Sequence, residues 1–278
     1  MSAAPRRQTS RWVELVFGES PRLDDLAEAY HEASKVSPLQ IGRQVEGARR
    51  LEASPDLRIS STRSVKRRGG RVARLPEPHV PELALWEAIR SRRSRRAFSA
   101  EPLDERELST LLHGSYGVTG ALEPPTPSLE LRLRAVPSGG ALYPLELYVA
   151  ALRVNGLQPG LYHFDPLRPG VEIVEQDVTA ERVAALSTYP EIVGACAVLV
   201  LIAAIFGRTR FKYGLRGYRF ALLEAGHVAQ NVALIATALG LAAVPLGGFY
   251  DRPTVEFLGL DGVNESTLYA IAVGREAR

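Results

Sequence analysis

The sequence predicts an α+β fold, on three observations. Strand-like runs gather between residues 129 and 206, with helical patterns on both sides and no regular strand–helix alternation. The apolar run GACAVLVLIAAIF, residues 194–206, is about a dozen residues long, well short of the ~20 that cross a bilayer, and reads as a buried central strand. The longest helical pattern, 218–239, is apolar around most of its circumference, which places it in the centre of a domain or in a dimer interface. Apolar residues make up 46% of the 278 positions and charged residues 23%, enough apolar surface for a sizeable core.

Residues 12–44 carry spaced apolar positions (Leu15, Val16, Leu23, Leu26, Tyr30) interrupted by Pro21 and Pro38, a pattern of short helices with breaks. From Arg58 to Arg74 there are seven basic residues and no acidic one, mixed with Ser and Gly, which reads as a solvated linker. The three prolines of PEPHVPE mark a boundary, so that residues 1–80 form a helical extension with a basic linker and residues 81–278 the main domain. Leu83, Leu85 and Ile89 then open a helix that carries Trp86. Asp104 stands at the N-cap of a helix whose Leu108, Leu111 and Leu112 follow helical spacing and which ends near Gly117. Strands are predicted at 129–136, 145–154, 161–164, 171–174 and 195–206, with Asp165 and Pro166 as a turn. Gly240 stops the long helix, and TLYAIAVG closes the chain as a last strand.

Charge and composition exclude some functions. Lys and Arg total 34 against 31 Asp and Glu, and a net charge of +3 does not make a nucleic-acid binder. The basic stretch also lacks the interleaved aromatic residues that stack on bases. The single cysteine, Cys196, lies in the apolar run as a small core residue and points to a reducing compartment. MSAAPRRQTSRW has no signal-peptide apolar core, so a cytoplasmic protein without membrane attachment is expected.

Four segments could carry chemistry. In SRRSRRAF, Arg92, Arg93, Arg95 and Arg96 surround Ser94, and arginine forks with a serine hydroxyl suit a phosphate; the same run reads equally well as a solvated basic turn. In VPSGGALYP, glycines following a strand let the backbone approach a flat ligand, or form a plain turn. VPLGGFYD offers a second Gly pair at the edge of an apolar segment. In RTRFKYGLRGYRF, Lys212 and Tyr213 sit among arginines, a setting for a side chain that exchanges protons, or a basic surface loop. Glu224, His227 and Asn231 share a helix face at spacings of three and four; without a second His or Cys at ligand spacing, His227 reads as a hydrogen-bonded core residue and no metal is assigned.

In this order the segments HEASK (residues 31–35), RRSRRAF, LLHGSYGVTG, PSGGALYPLELYV, GLYHFDP, the long helix with its PLGGFYD continuation, and LYAIAVG resemble the nitroreductase-like flavoproteins, specifically the SagB-type (McbC-like) dehydrogenases of azole-containing peptide biosynthesis. The resemblance implies a central, mainly antiparallel sheet flanked by helices and a homodimer with FMN at its interface. By position, Arg92, Arg93, Ser94 and Arg96 would contact the FMN phosphate and ribityl chain, with Arg275 at the same phosphate. Pro137, Ser138 and Gly139 would approach the isoalloxazine from the partner subunit, and Gly247 and Gly248 would face the ring near N5. Where general nitroreductases often carry an acidic residue this chain has Gly247, which disfavours ordinary nitroreduction.

The same resemblance makes Lys212 and Tyr213 the catalytic pair of azoline oxidation, with Tyr213 as general base. The implied substrate is an azoline-containing peptide, and a cyclodehydratase complex is the implied partner; the basic stretch 58–74 could meet either. The competing readings are an NAD(P)H-dependent nitro- or flavin reductase and a non-catalytic scaffold subunit of a heterocyclase complex.

Overall fold

The computed structural model describes residues 25–36, 41–54, 57, 65–66, 68–122 and 131–277. In chain order the elements are α1 (Leu26–Ala33), α2 (Ile41–Ala53), β1 (Val72–Ala73), α3 (Leu85–Ser91), α4 (Glu105–Tyr116), β2 (Val118–Leu122), β3 (Leu131–Arg134), a 3₁₀ turn (Gly139–Ala141), β4 (Leu145–Ala151), β5 (Gly160–Phe164) and β6 (Val171–Gln176). They continue as α5 (Ala180–Ala184), α6 (Pro190–Ala195), β7 (Val198–Ile205), α7 (Gly207–Tyr213), α8 (Leu215–Ala238), β8 (Ala242–Leu246), α9 (Asp251–Leu258) and β9 (Glu265–Gly274). A seven-stranded sheet of order β1-β6-β5-β4-β7-β9-β8, antiparallel at every pairing, carries the fold. The α+β reading holds.

Alternation along β4 and β7 explains why both strands read as unbroken apolar runs. Leu145, Leu147, Val149, Val198, Val200 and Ile202 point into one core with α4 and α8. Tyr148, Ala150, Leu199, Leu201 and Ala203 point into a second core with α5, α6 and α9. A strand covered on both faces has no polar side to show.

The helix ends follow local chemistry. Asp104 and Glu107 close a capping box at the start of α4, with Glu107 N donating to Asp104 Oδ1 at 2.7 Å and Asp104 N to Glu107 Oε2 at 2.9 Å. α8 ends in a Schellman motif: Gly240 takes φ +69° and Leu241 N reaches back to Ala236 O at 2.8 Å. Cys196 falls just before β7, donating its thiol to Val193 O at 3.1 Å, and burial pushes its pKa up to about 12.

Three expectations need correction. The described part of the basic stretch is exposed at residues 68–72, as a solvated segment would be, but it is tied to the sheet and is not a free linker. Lys66 N donates to Glu146 Oε1 (2.7 Å), Lys66 Nζ pairs with Glu265, Arg68 N and Gly70 N donate to Glu172, and β1 extends the sheet beside β6. Glu146 and Glu172 are buried carboxylates that need donors, and the strap supplies them from far away in sequence. The predicted strand at 129–136 does not join the main sheet: β3 pairs with β2, which was not anticipated, in a separate two-stranded sheet. His227 is exposed on α8, not a core histidine. No helix among the described residues is long and apolar enough to cross a membrane.

Candidate functional site

Two groups of candidate residues lie at opposite ends of the sheet. At the first end β4 begins, β7 ends, and Leu145 pairs with Ala204. The chain enters β4 through residues 136–144, where Gly140, Ala141 and Tyr143 take φ of +68°, +54° and +43°. For the two non-glycine residues this costs of order 1–3 kcal/mol each, which the surroundings must offset. They do so with hydrogen bonds: Ser138 Oγ accepts from Tyr143 N (2.9 Å), Tyr143 Oη accepts from Arg134 N (3.0 Å), and Tyr143 O accepts from Arg208 Nη1 (3.3 Å).

α7 leaves β7 at the same end and brings Lys212 and Tyr213 onto this turn. A Cβ built on Gly140 would lie 2.6 Å from Tyr213 Oη and 2.9 Å from Lys212 Nζ, and one on Gly139 would lie 2.9 Å from the Phe220 ring. The φ of +68° at Gly140 makes glycine the residue that suits this approach. The Lys212 ammonium stands 5.2 Å from the Tyr213 ring centroid, and the Phe220 ring meets Tyr213 edge-on at 5.0 Å. The sequence thus separates by about seventy residues what the fold brings into contact. The N-terminal helices close this corner from outside. Arg219 donates to Ser34 Oγ (2.7 Å) and His31 O (2.6 Å), and a Cβ on Gly47 of α2 would lie 2.6 Å from Lys212 Cα.

Beneath the turn are buried polar groups, of which Glu224 is named from the sequence, on a helix face with His227 and Asn231, but without a role. Arg208 pairs with Glu146 Oε1 (2.5 Å), whose Oε2 meets His163 Nε2 at 2.7 Å. Burial pushes Glu146 up, but His163 and Arg208 outweigh it and hold the carboxyl below its ordinary value. Glu224 of α8 is 2% exposed, and Tyr116 Oη donates to its Oε1 at 2.9 Å. Burial raises its pKa to about 7, opposed first by the Ser138 hydroxyl and then by Tyr116, Arg134 and Arg208. The signal was there to be read: a glutamate at helical spacing among Ala221, Ala225 and Val228, all buried. Asn231 donates to Ala135 O (3.3 Å), away from any metal geometry, and no cluster of three His, Cys, Asp or Glu suited to a metal occurs among the described residues.

At the other end α3 stops at Ser91 and the arginine run crosses the start of β8. Ser94 bridges Ala243, Arg95 N donates to Ala243 O (3.0 Å), and Ser99 N donates to Arg275 O (2.9 Å). Arg95 pairs with Glu276. Arg93 donates to Arg90 O and Arg92 O, and Arg96 to Ser94 O; among the described residues no carboxylate neutralises Arg92, Arg93 or Arg96. Arg275 differs, since both its Nη atoms bind Glu107 (2.7 and 2.9 Å). Gly247 and Gly248 follow the other end of β8, whose Leu246 pairs through Ala270 with Leu201 in the middle of β7; Gly248 O accepts from Thr188 N (3.0 Å), Ser187 Oγ (2.9 Å) and Thr188 Oγ1 (3.0 Å), and its Cα is packed against Thr188 and Tyr189. Gly247 is exposed, with open space where a side chain would be. β7, eight residues and so ~26 Å long, separates this arginine end from the Ser138 and Tyr213 end.

The Nitroreductase family matches residues 89–275. MJ1384 of Methanocaldococcus jannaschii is 37% identical over 199 residues, covering 72% of this chain and 94% of that protein. The microcin B17-processing protein McbC of Escherichia coli is 36% identical over 133 residues, 46% of this chain and 49% of McbC. In fold, the chain is similar to a chain of the E. coli microcin synthetase McbBCD complex bound to truncated pro-MccB17, with a TM-score of 0.58 at 23% identity over 98% of this chain and 99% of that one.

Proposed function

Because the chain belongs to the nitroreductase family, we propose that it is an FMN-dependent oxidoreductase that dehydrogenates thiazoline or oxazoline rings of a peptide to thiazoles or oxazoles. The observation that carries this reading is the convergence of Tyr213 Oη and Lys212 Nζ on the backbone of Gly140. Aromatising an azoline removes a hydride and a proton from the ring. Bound FMN supplies the two-electron acceptor for the hydride. Tyr213 takes the proton as general base, and Lys212 beside it orients the substrate.

The residues present fit the cofactor. Arg92, Arg93 and Arg96, without carboxylate partners among the described residues, and Ser94 would hold its phosphate and ribityl chain; Arg275 lies at the same end but is already paired with Glu107. Of the candidate backbone contacts, Gly247 has open space at its Cα and would offer backbone to the ring, whereas Gly139 packs on Phe220 and Gly248 on Thr188 and Tyr189; Pro137 and Ser138 flank Gly139. Since the two ends lie so far apart in one protomer, a ligand that touches both needs a second copy, and a homodimer provides it. The exposed Leu222 and Leu223 of α8 and Leu85, Trp86 and Ile89 of α3 are apolar surface suited to such an interface. The names of McbC as a microcin B17-processing protein and of the McbBCD synthetase complex support a peptide substrate and a partner complex; a cyclodehydratase in that complex is our reading from the sequence resemblance.

The test is direct. The purified chain with FMN is given a synthetic azoline peptide, and mass spectrometry looks for a loss of roughly 2 Da, the mass of the hydride and proton removed. No loss, together with rapid bleaching of the flavin by NADPH, would instead favour a nitro- or flavin reductase.

A further inference from the structure

Helix α7 carries Lys212 and Tyr213, yet its seven residues are too few to hold a helix by themselves, and no side chain caps its start. Its placement must come from contacts with the rest of the fold. Thr209 Oγ1 donates to Gly217 O at 3.0 Å, which fastens α7 to α8. Arg208 fastens it to β4 and to the turn before it. Its guanidinium forks: Nη2 pairs with the buried Glu146 Oε1 at 2.5 Å, and Nη1 donates to Tyr143 O at 3.3 Å.

Each branch of the fork reaches a point that is itself held. Glu146 lies in β4, where its Oε2 meets His163 Nε2 of β5 at 2.7 Å and its Oε1 accepts from Lys66 N at 2.7 Å. Tyr143 closes the turn at φ +43°, with its amide bound to Ser138 Oγ. A strained residue keeps such a conformation because its surroundings over-determine it, and Arg208 supplies the contact to its carbonyl. On α7, Arg208 and Lys212 stand four residues apart and share a face. The side chain that grips the turn therefore sits one helical turn from the pair that meets Gly140.

We propose that Arg208 is a positioning residue that sets α7 against the Ser138–Tyr143 turn, so that Tyr213 Oη and Lys212 Nζ meet the backbone of Gly140. Its bearing on azoline oxidation rests on the function proposed above; its hold on the turn does not. Arginine suits the task because two separate nitrogens serve two acceptors, whereas lysine carries its donors on one atom. Lysine at this position would still neutralise Glu146 but would not span to Tyr143 O as well.

Arg208→Lys separates the two roles. If neutralising Glu146 were all that Arg208 does, the variant would match wild type throughout. We expect a urea midpoint close to wild type, but amide hydrogen exchange about fivefold faster in peptides spanning 138–144 and 207–213 and unchanged elsewhere, read by mass spectrometry on the full chain as purified. With an azoline peptide, kcat should fall about tenfold while KM stays within about twofold. Wild-type exchange in those two peptides overturns the proposal, and so does faster exchange spread over the whole chain, which would make Arg208 a residue of global stability. Faster local exchange with wild-type kcat overturns its bearing on the reaction. A wild type that does not oxidise azolines overturns the proposed function instead, and the exchange measurement still decides the role of Arg208 at the turn.

Discussion

Tyr116 Oη donates to Glu224 Oε1 at 2.9 Å, a bond that ties α4 to α8 directly below the Ser138 turn. Burial raises the Glu224 carboxyl to about 7, above its ordinary value of 4.5. A carboxyl whose folded value lies above its unfolded one makes no difference at low pH, where both states are protonated, and costs stability progressively as pH climbs past the unfolded value and through the folded one. Glu224→Gln removes that cost. Its stability relative to wild type should therefore rise by about 2–3 kcal/mol between about pH 4 and pH 8, as urea unfolding at the two pH values would register.

Gly140→Ala should damage the site more than the fold. Its Cβ would collide with Tyr213 Oη at 2.6 Å, and its φ of +68° disfavours any L side chain. A stability loss of about 1–2 kcal/mol is expected, together with azoline turnover reduced at least about tenfold, since displacements of an ångström are that costly at a reacting centre. Turnover at the wild-type rate would separate Tyr213 from the chemistry.

Tyr213→Phe should lower azoline turnover by about two orders of magnitude or more while leaving flavin content unchanged. Steady-state rates with bound flavin measured by absorbance make the comparison. If turnover is unaffected, Lys212 becomes the base to examine.

Arg92→Ala and Arg96→Ala should each weaken FMN binding by about ten- to a hundredfold, the worth of a charge-assisted hydrogen bond. Neither arginine has a carboxylate partner among the described residues, so thermal unfolding of the flavin-free chain should barely move. Equilibrium dialysis against FMN reads the first effect.

Arg208→Ala leaves the buried Glu146 with His163 and Lys66 N alone. Breaking a buried pair from one side is expensive, and a loss of about 2–4 kcal/mol at neutral pH is expected. Because the Glu146 value is depressed in the folded protein, its contribution is present above the unfolded carboxylate range and vanishes as pH falls through the lower folded value. The gap between variant and wild type should accordingly narrow in acid, as denaturation at about pH 7 and pH 3 would reveal.

Much of the architecture was legible because its causes are local. The capping pair of Asp104 and Glu107, the Gly240 stop and the turn at Asp165 each depend on residues within a few positions of one another. β2 escaped because Val118–Leu122 has no alternating pattern of its own and is stabilised by pairing with β3. The strap at Lys66, Arg68 and Gly70 was misread for a related reason: nothing near those residues reveals that Glu146 and Glu172, some 80 and 100 positions later, are buried and short of donors.

By itself the sequence determined the α+β class, the helix ends, the buried central strands and the chemical types gathered in four segments, since periodicity, capping and side-chain chemistry act over a few residues. Only the tertiary structure decided which segments meet. It set Lys212 and Tyr213 against Gly140, placed the arginine run at the far end of the sheet, exposed His227, and buried Glu224 against Tyr116. Those outcomes depend on strand register and helix packing over tens to more than a hundred residues, where burial and charge are properties of the neighbours rather than of the residue itself.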